Sequence, residues 1–104
     1  MSLTLLGPKR IQALNREWKG HDRPTDVIAF ALPEPDGALV GDVYICPAVA
    51  RASARDLGIP VRQELVRLVI HGTLHVLGYD HPEGAGRTRS AMWRRQERYV
   101  KALA

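Results

Sequence analysis

Residues 61 to 77, VRQELVRLVIHGTLHVL, form the most apolar helical segment of this 104-residue chain, and Gly78 closes it. A helix this apolar must be covered by other elements, and two histidines, His71 and His75, sit four residues apart near its end. Residues at that spacing share one helix face. The apolar neighbours Leu68, Val69, Ile70, Val76 and Leu77 place both imidazoles near the core, where an unsatisfied polar group is costly.

The rest of the chain reads around this helix. Leu3 to Leu6 is a short apolar run with strand character. Gly7-Pro8 opens a helix in which Ile11, Leu14 and Trp18 recur, and Gly20 stops it. DVIAFAL (26–32) and LVGDVYIC (39–46) are rich in β-formers and separated by Pro33, Pro35 and Gly37, which predicts a hairpin with a loose turn. Pro47 begins a helix through Leu57, closed by Gly58 and Pro60. HPEGAG (81–86) reads as a loop before a final basic helix over 86–103. The expected fold is α+β, a small mixed sheet packed with helices, in one domain over residues 1–104.

Composition excludes several classes. Hydrophobic residues make up 45% of the chain, which is ordinary for a globular protein and argues against disorder. Cys46 stands alone, so no internal disulfide can form and a reducing compartment fits best. No apolar run approaches the roughly 20 residues of a membrane span, and MSLTLLGPKR is too short and too soon broken to be a signal peptide. These features point to a soluble, cytoplasmic protein. From residue 84 onward six basic side chains face only Glu97, whereas residues 1–83 hold nine basic against ten acidic. The positive excess therefore lies in the last segment, either as a polyanion-binding surface or as a solvated helix face. Trp93 and Tyr99 on that helix are candidates for stacking on bases or for the core.

HGTLHVLGYDH (71–81) reads His-x-x-x-His-x-x-Gly-x-x-His. Gly78 tolerates the left-handed conformation, so the chain can turn sharply and bring His81 back towards His71 and His75. Three neutral imidazoles suit one Zn²⁺ at the end of the helix and leave a fourth tetrahedral position for water, the layout of a catalytic rather than a closed structural site. One lone histidine would read as a hydrogen-bonded core residue; three around a glycine bend read as a metal site. Zinc proteases of this spacing carry Glu directly after the first histidine as general base, and here that position is Gly72. Asp80 beside His81 stays open between a partner for the ligands, a substitute base and a loop cap.

The motif resembles the signature of the YbeY family of bacterial metal-dependent endoribonucleases. ALNREWKGHDRPTDVIAF (13–30) is similar to the family's upstream block, VGDVYIC (40–46) to its Gly-Asp strand, and Met92 and Glu97 fall where the family often has Met and Glu. The resemblance implies zinc held by His71, His75 and His81, an RNA substrate, and a role in ribosomal RNA maturation and ribosome quality control. Family members commonly carry a further strand and helix ahead of the segment with which this sequence begins, so an exposed sheet edge is expected. The family usually has Arg, acting on the substrate phosphate, where this chain has Lys19; the resemblance makes Lys19 the catalytic candidate, with the charge kept and the bidentate fork lost. Two other functions compete with a zinc-dependent, single-strand-preferring endoribonuclease. One is a non-catalytic RNA- or ribosome-binding module with a structural zinc, and the other is a metallopeptidase with an unusual base.

Overall fold

The structure, a computed structural model, describes residues 1–36, 39–78 and 91–104. Three strands and four helices follow in the order β1 (Ser2–Leu5), α1 (Pro8–Lys19), β2 (Val27–Pro33), β3 (Leu39–Ile45), α2 (Pro47–Leu57), α3 (Val61–Val76) and α4 (Ala91–Leu103). The α+β expectation holds. The punctuation that bounds the helices is local chemistry: Pro8 and Pro47 sit in the first turns of α1 and α2, and Gly20 and Gly58 end them in the left-handed conformation. The first strand lies one residue earlier than its apolar run suggests: Ser2 already pairs with Asp42 and Leu5 with Ile45, and Leu6 follows the last pair with its amide donating to the Ile45 carbonyl at 2.9 Å.

The sheet is mixed, in the order β1-β3-β2. The β2–β3 hairpin is antiparallel, pairing Val27 with Ile45 and Ala31 with Gly41, while β1 runs parallel to β3 and pairs Leu3 with Val43. Period-two alternation along the strands feeds two cores. Val43 and Ile45, with Val27 and Ala29 beside them, pack against Ala50, Leu68 and Val76 from α2 and α3. Ile28 and Cys46, joined by Phe30 and Tyr44, pack against Ile11 and Leu14 of α1. The helices thus cover both faces, and α4 lies on α3 through the buried stripe Met92, Gln96 and Val100. Strands β1 and β2 form the edges, and β1 is exposed along its length, with Leu3 48% and Leu5 62% accessible. Among the described residues no helix is long and apolar enough to cross a membrane.

Helix α3 lies unusually close to the sheet, and Gly72 allows it. A Cβ at Gly72 would stand 2.5 Å from Val43 Cγ1 and 3.0 Å from Cγ2, inside the reach of any real contact. Glycine at this position is therefore a packing requirement, and position 72 faces the sheet.

Candidate functional site

Because β2 is an edge strand, the end of α1 and the loop after it meet α3 along its open side. An open cleft of about 500 Å³ forms there, lined by Lys19, His21 and Arg23, by Val27 to Ala29, and by His71 and His75. Asn15, buried in the last turns of α1, also reaches it and shapes the loop. Its Nδ2 donates to the Arg23 carbonyl at 2.9 Å, and its own carbonyl accepts from the amides of Gly20 and His21. The apolar repeat of α1 does not continue to Trp18 as its spacing suggests. Asn15 takes the buried place, while Trp18 is 62% accessible and meets Phe30 edge-to-face at 5.9 Å. The Lys19 ammonium lies 5.0 Å from the centroid of the same Phe30 ring, a cation–π contact that holds it at the cleft.

The two imidazoles of α3 converge as their spacing predicts. His71 Nε2 and His75 Nε2 are 3.1 Å apart. A tetrahedral ion about 2.0–2.1 Å from each nitrogen would set them about 3.3–3.4 Å apart, so the pair fits one small cation with a movement of a few tenths of an ångström. The same distance also suits a hydrogen bond from one ring to the other. His71 is buried, and its Nδ1 lies 2.6 Å from Gln96 Oε1 on α4. Gly78 adopts φ +95°, the left-handed turn expected at the end of the helix. His81 and Asp80 lie outside the described residues, as do Arg87 and Arg89. Among the described residues no group of three or more His, Cys, Asp or Glu side chains gathers as a metal set. Cys46 is buried in the core beneath α1, away from the cleft lining.

Gln96 joins His71 to an ion network that ties α3 to α4. Arg67 donates through Nε and Nη2 to the Glu97 carboxylate at 3.0 and 2.9 Å, and through Nη1 to Glu64 at 3.0 Å. Burial pushes the Glu97 carboxyl up, but the hydrogen bonds from Arg67 and Gln96 and the Arg67 charge outweigh it and hold the group below the ordinary carboxylate range. The Arg67 guanidinium is correspondingly held above its ordinary value by Glu97, against the opposing effect of burial, with help from Glu64. A carboxylate whose folded value is lowered contributes stability above the unfolded range and loses it as pH falls through the folded value. Arg67→Met should therefore cost about 2–3 kcal/mol at neutral pH, since it strands the buried Glu64. The deficit should narrow as pH falls through the lowered folded value of Glu97 and that carboxylate loses its charge. Thermal melts across pH measure both; a constant deficit would deny the network its charge.

Of the residues that line the cleft, the sequence singles out His71, His75 and Lys19 as candidates, and not Asn15, His21 or Arg23; Gln96, behind His71, is likewise unmarked there. Arg94, Arg95, Arg98 and Lys101 are exposed on α4, as the charge pattern implies, yet no α4 residue lines the cleft. Trp93 is half-buried and Tyr99 is 42% accessible, and neither borders it.

The whole chain, residues 1–104, matches the family described as Endoribonuclease YbeY. The chain belongs to the YbeY family. It is 48% identical over 110 residues to the Endoribonuclease YbeY of Desulfitobacterium hafniense, covering 96% of this chain and 68% of that protein. It is 46% identical over 84 residues to the protein of the same name from a Sulfurihydrogenibium species, covering 78% of this chain and 55% of the relative. The chain thus spans between about half and two thirds of the length of these relatives. The solution structure of TM1509 from Thermotoga maritima superposes with a TM-score of 0.66 at 38% identity, over 95% of this chain and 64% of that one. Family and fold agree with the resemblance carried by the histidine motif.

Proposed function

We propose that this chain is a zinc-dependent endoribonuclease that cuts single-stranded stretches of ribosomal RNA in the cytoplasm, during rRNA maturation and ribosome quality control. The observation that carries the reading is the pair of Nε2 atoms 3.1 Å apart, facing a cleft that also presents Lys19 and Arg23. Membership in a family of endoribonucleases supports RNA as the substrate class. His71 and His75 would hold the ion, with His81 as the third ligand. When bound, zinc supplies Lewis acidity towards a phosphoryl oxygen and lowers the pKa of a coordinated water.

The chain's own residues do the remainder. Lys19, held at the cleft by Phe30, places a positive charge where the phosphoryl oxygens gain negative charge. Arg23, on the loop fixed by Asn15, offers a bidentate donor to a neighbouring phosphate. RNA brings its own 2′-hydroxyl as an internal nucleophile, which accounts for a site that manages without a carboxylate base after the first histidine. The peptidase alternative loses ground here, because position 72 faces Val43 and has no room for that base.

Lys19→Ala should slow single-turnover cleavage on the order of 10²-fold, the scale of one lost electrostatic contact in an active site. Lys19→Arg should keep or raise the rate, since the guanidinium fork matches phosphate geometry. Equal rates for all three proteins at matched zinc content would reduce Lys19 to a charge favouring the end of α1.

RNA affinity should fall with salt. Replacing Arg94, Arg95 and Arg98 with Ala should flatten the logarithmic salt slope by up to about 2 units, at about 0.7 per phosphate contacted on a single strand. An unchanged slope would leave binding to the cleft cations and return the α4 face to solvent. The proposal as a whole is tested by incubating zinc-loaded protein with unstructured RNA and with rRNA precursors: endonucleolytic products support it, and intact RNA refutes it.

A further inference from the structure

Gln96 is 1% accessible and sits on α4, packed against α3. Each end of its amide has a different partner. Nε2 donates to Glu97 Oε2 at 2.9 Å, and Oε1 lies 2.6 Å from His71 Nδ1. Glu97 is paired with Arg67 through two guanidinium nitrogens, so its oxygens act as acceptors and require the NH₂ end of the amide. That requirement removes the choice between the two amide orientations. An amide oxygen can only accept, and the proton of His71 must then be on Nδ1. The lone pair is left on Nε2, the atom that faces His75 and the cleft.

We propose that Gln96 is a positioning residue that holds His71 in its Nδ1–H form, with the Arg67–Glu97 pair as the lock that keeps the amide from turning over. The inference rests on the reading of His71 as a zinc ligand, because an ion takes the Nε2 lone pair. Without an acceptor at position 96, a buried Nδ1–H would lack this partner, and the proton would move to Nε2, where it blocks the metal. A hydrogen-bond acceptor behind a ligating imidazole also raises its basicity, and loss of such a partner weakens metal binding about 10- to 100-fold. Gln96→Met keeps the volume and removes the acceptor. Gln96→Glu keeps an oxygen in place: one proton shared between the neighbouring carboxyls relieves their repulsion, and an oxygen still accepts from His71.

The experiment is ¹⁵N NMR of the imidazoles in metal-free protein, together with zinc affinity by competition with a chromogenic chelator, on wild type and both variants. Wild type and Gln96→Glu should show His71 protonated at Nδ1, and Gln96→Met should show it protonated at Nε2. Zinc should bind Gln96→Met about 10- to 100-fold more weakly, with Gln96→Glu within a few-fold of wild type. A wild-type His71 protonated at Nε2 overturns the proposal, and so does a folded Gln96→Met that binds zinc as tightly as wild type. Should Gln96→Met fail to fold, the wild-type tautomer decides. A wild type that takes up no zinc would overturn the ligand reading and the metal half of this inference. The tautomer, read without metal, would still decide what Gln96 does.

Discussion

His75→Ala should abolish zinc uptake and RNA cleavage together while leaving the fold and most of the RNA affinity intact. That outcome follows from where the side chain lies. His75 is half-buried at the end of α3 and faces His71 across 3.1 Å, so its removal takes away one of two converging nitrogens without opening the core. The packing of α3 rests on Leu68, Leu74 and Val76, which do not change. The loss should exceed the roughly 10- to 100-fold effect of removing a partner behind a ligand. His71→Ala should lose zinc too but is the less clean variant, because it leaves Gln96 Oε1 buried without its imidazole, at a cost of about 1–3 kcal/mol. Elemental analysis, thermal melting and fluorescence anisotropy with labelled RNA separate these effects. A structural zinc would make stability fall with the metal, and full zinc occupancy in a His71→Ala/His75→Ala double variant would remove the site from α3.

Gly72→Glu should prevent folding rather than install a protease base. The added Cβ alone would stand 2.5 Å from Val43 Cγ1, and Val43 is fully buried between the sheet and α3. Overpacking of this kind costs about 1–3 kcal/mol even for alanine, and a carboxylate forced into the same apolar contact adds several more. Against a total stability of about 5–15 kcal/mol the glutamate variant has little left. Gly72→Ala should fold but melt lower, by about 4–8 °C per kcal/mol lost. A Gly72→Ala protein that melts with the wild type would contradict the close approach of α3 to β3.

Much of this architecture was legible because its signals are local. Pro8, Gly20, Pro47 and Gly58 mark helix ends through backbone geometry, and the alternation in VIAFAL and LVGDVYI follows from strand pleating. The i, i+4 histidines and the turn at Gly78 were readable for the same reason. What escaped depends on distant partners. Gln96 meets His71 across 25 residues, and nothing in its neighbourhood on α4 marks it as different from any other polar residue on a basic helix. Arg23 was hidden by cancellation, since the nearby Glu17, Asp22 and Asp26 keep the net charge of its stretch low and charge counting pointed to α4 instead; Lys19, in the same stretch, stood out only through the family resemblance. Spacing placed Trp18 on the apolar stripe of α1, but the stripe ends at Leu14, because Asn15 is needed inside to hold the Arg23 carbonyl. The strand order β1-β3-β2 was also out of reach, since register between strands so far apart is set by packing with α1 and α3 rather than by either strand alone.

Whether the histidine cleft cleaves RNA through zinc is decided by single-turnover cleavage of an unstructured RNA. The protein is assayed zinc-loaded, stripped with a chelator, and reloaded, each beside His75→Ala. Internal cuts that vanish on stripping, return on reloading and never appear with His75→Ala are the predicted result. Cleavage that survives stripping, or that His75→Ala performs at the wild-type rate, would contradict it.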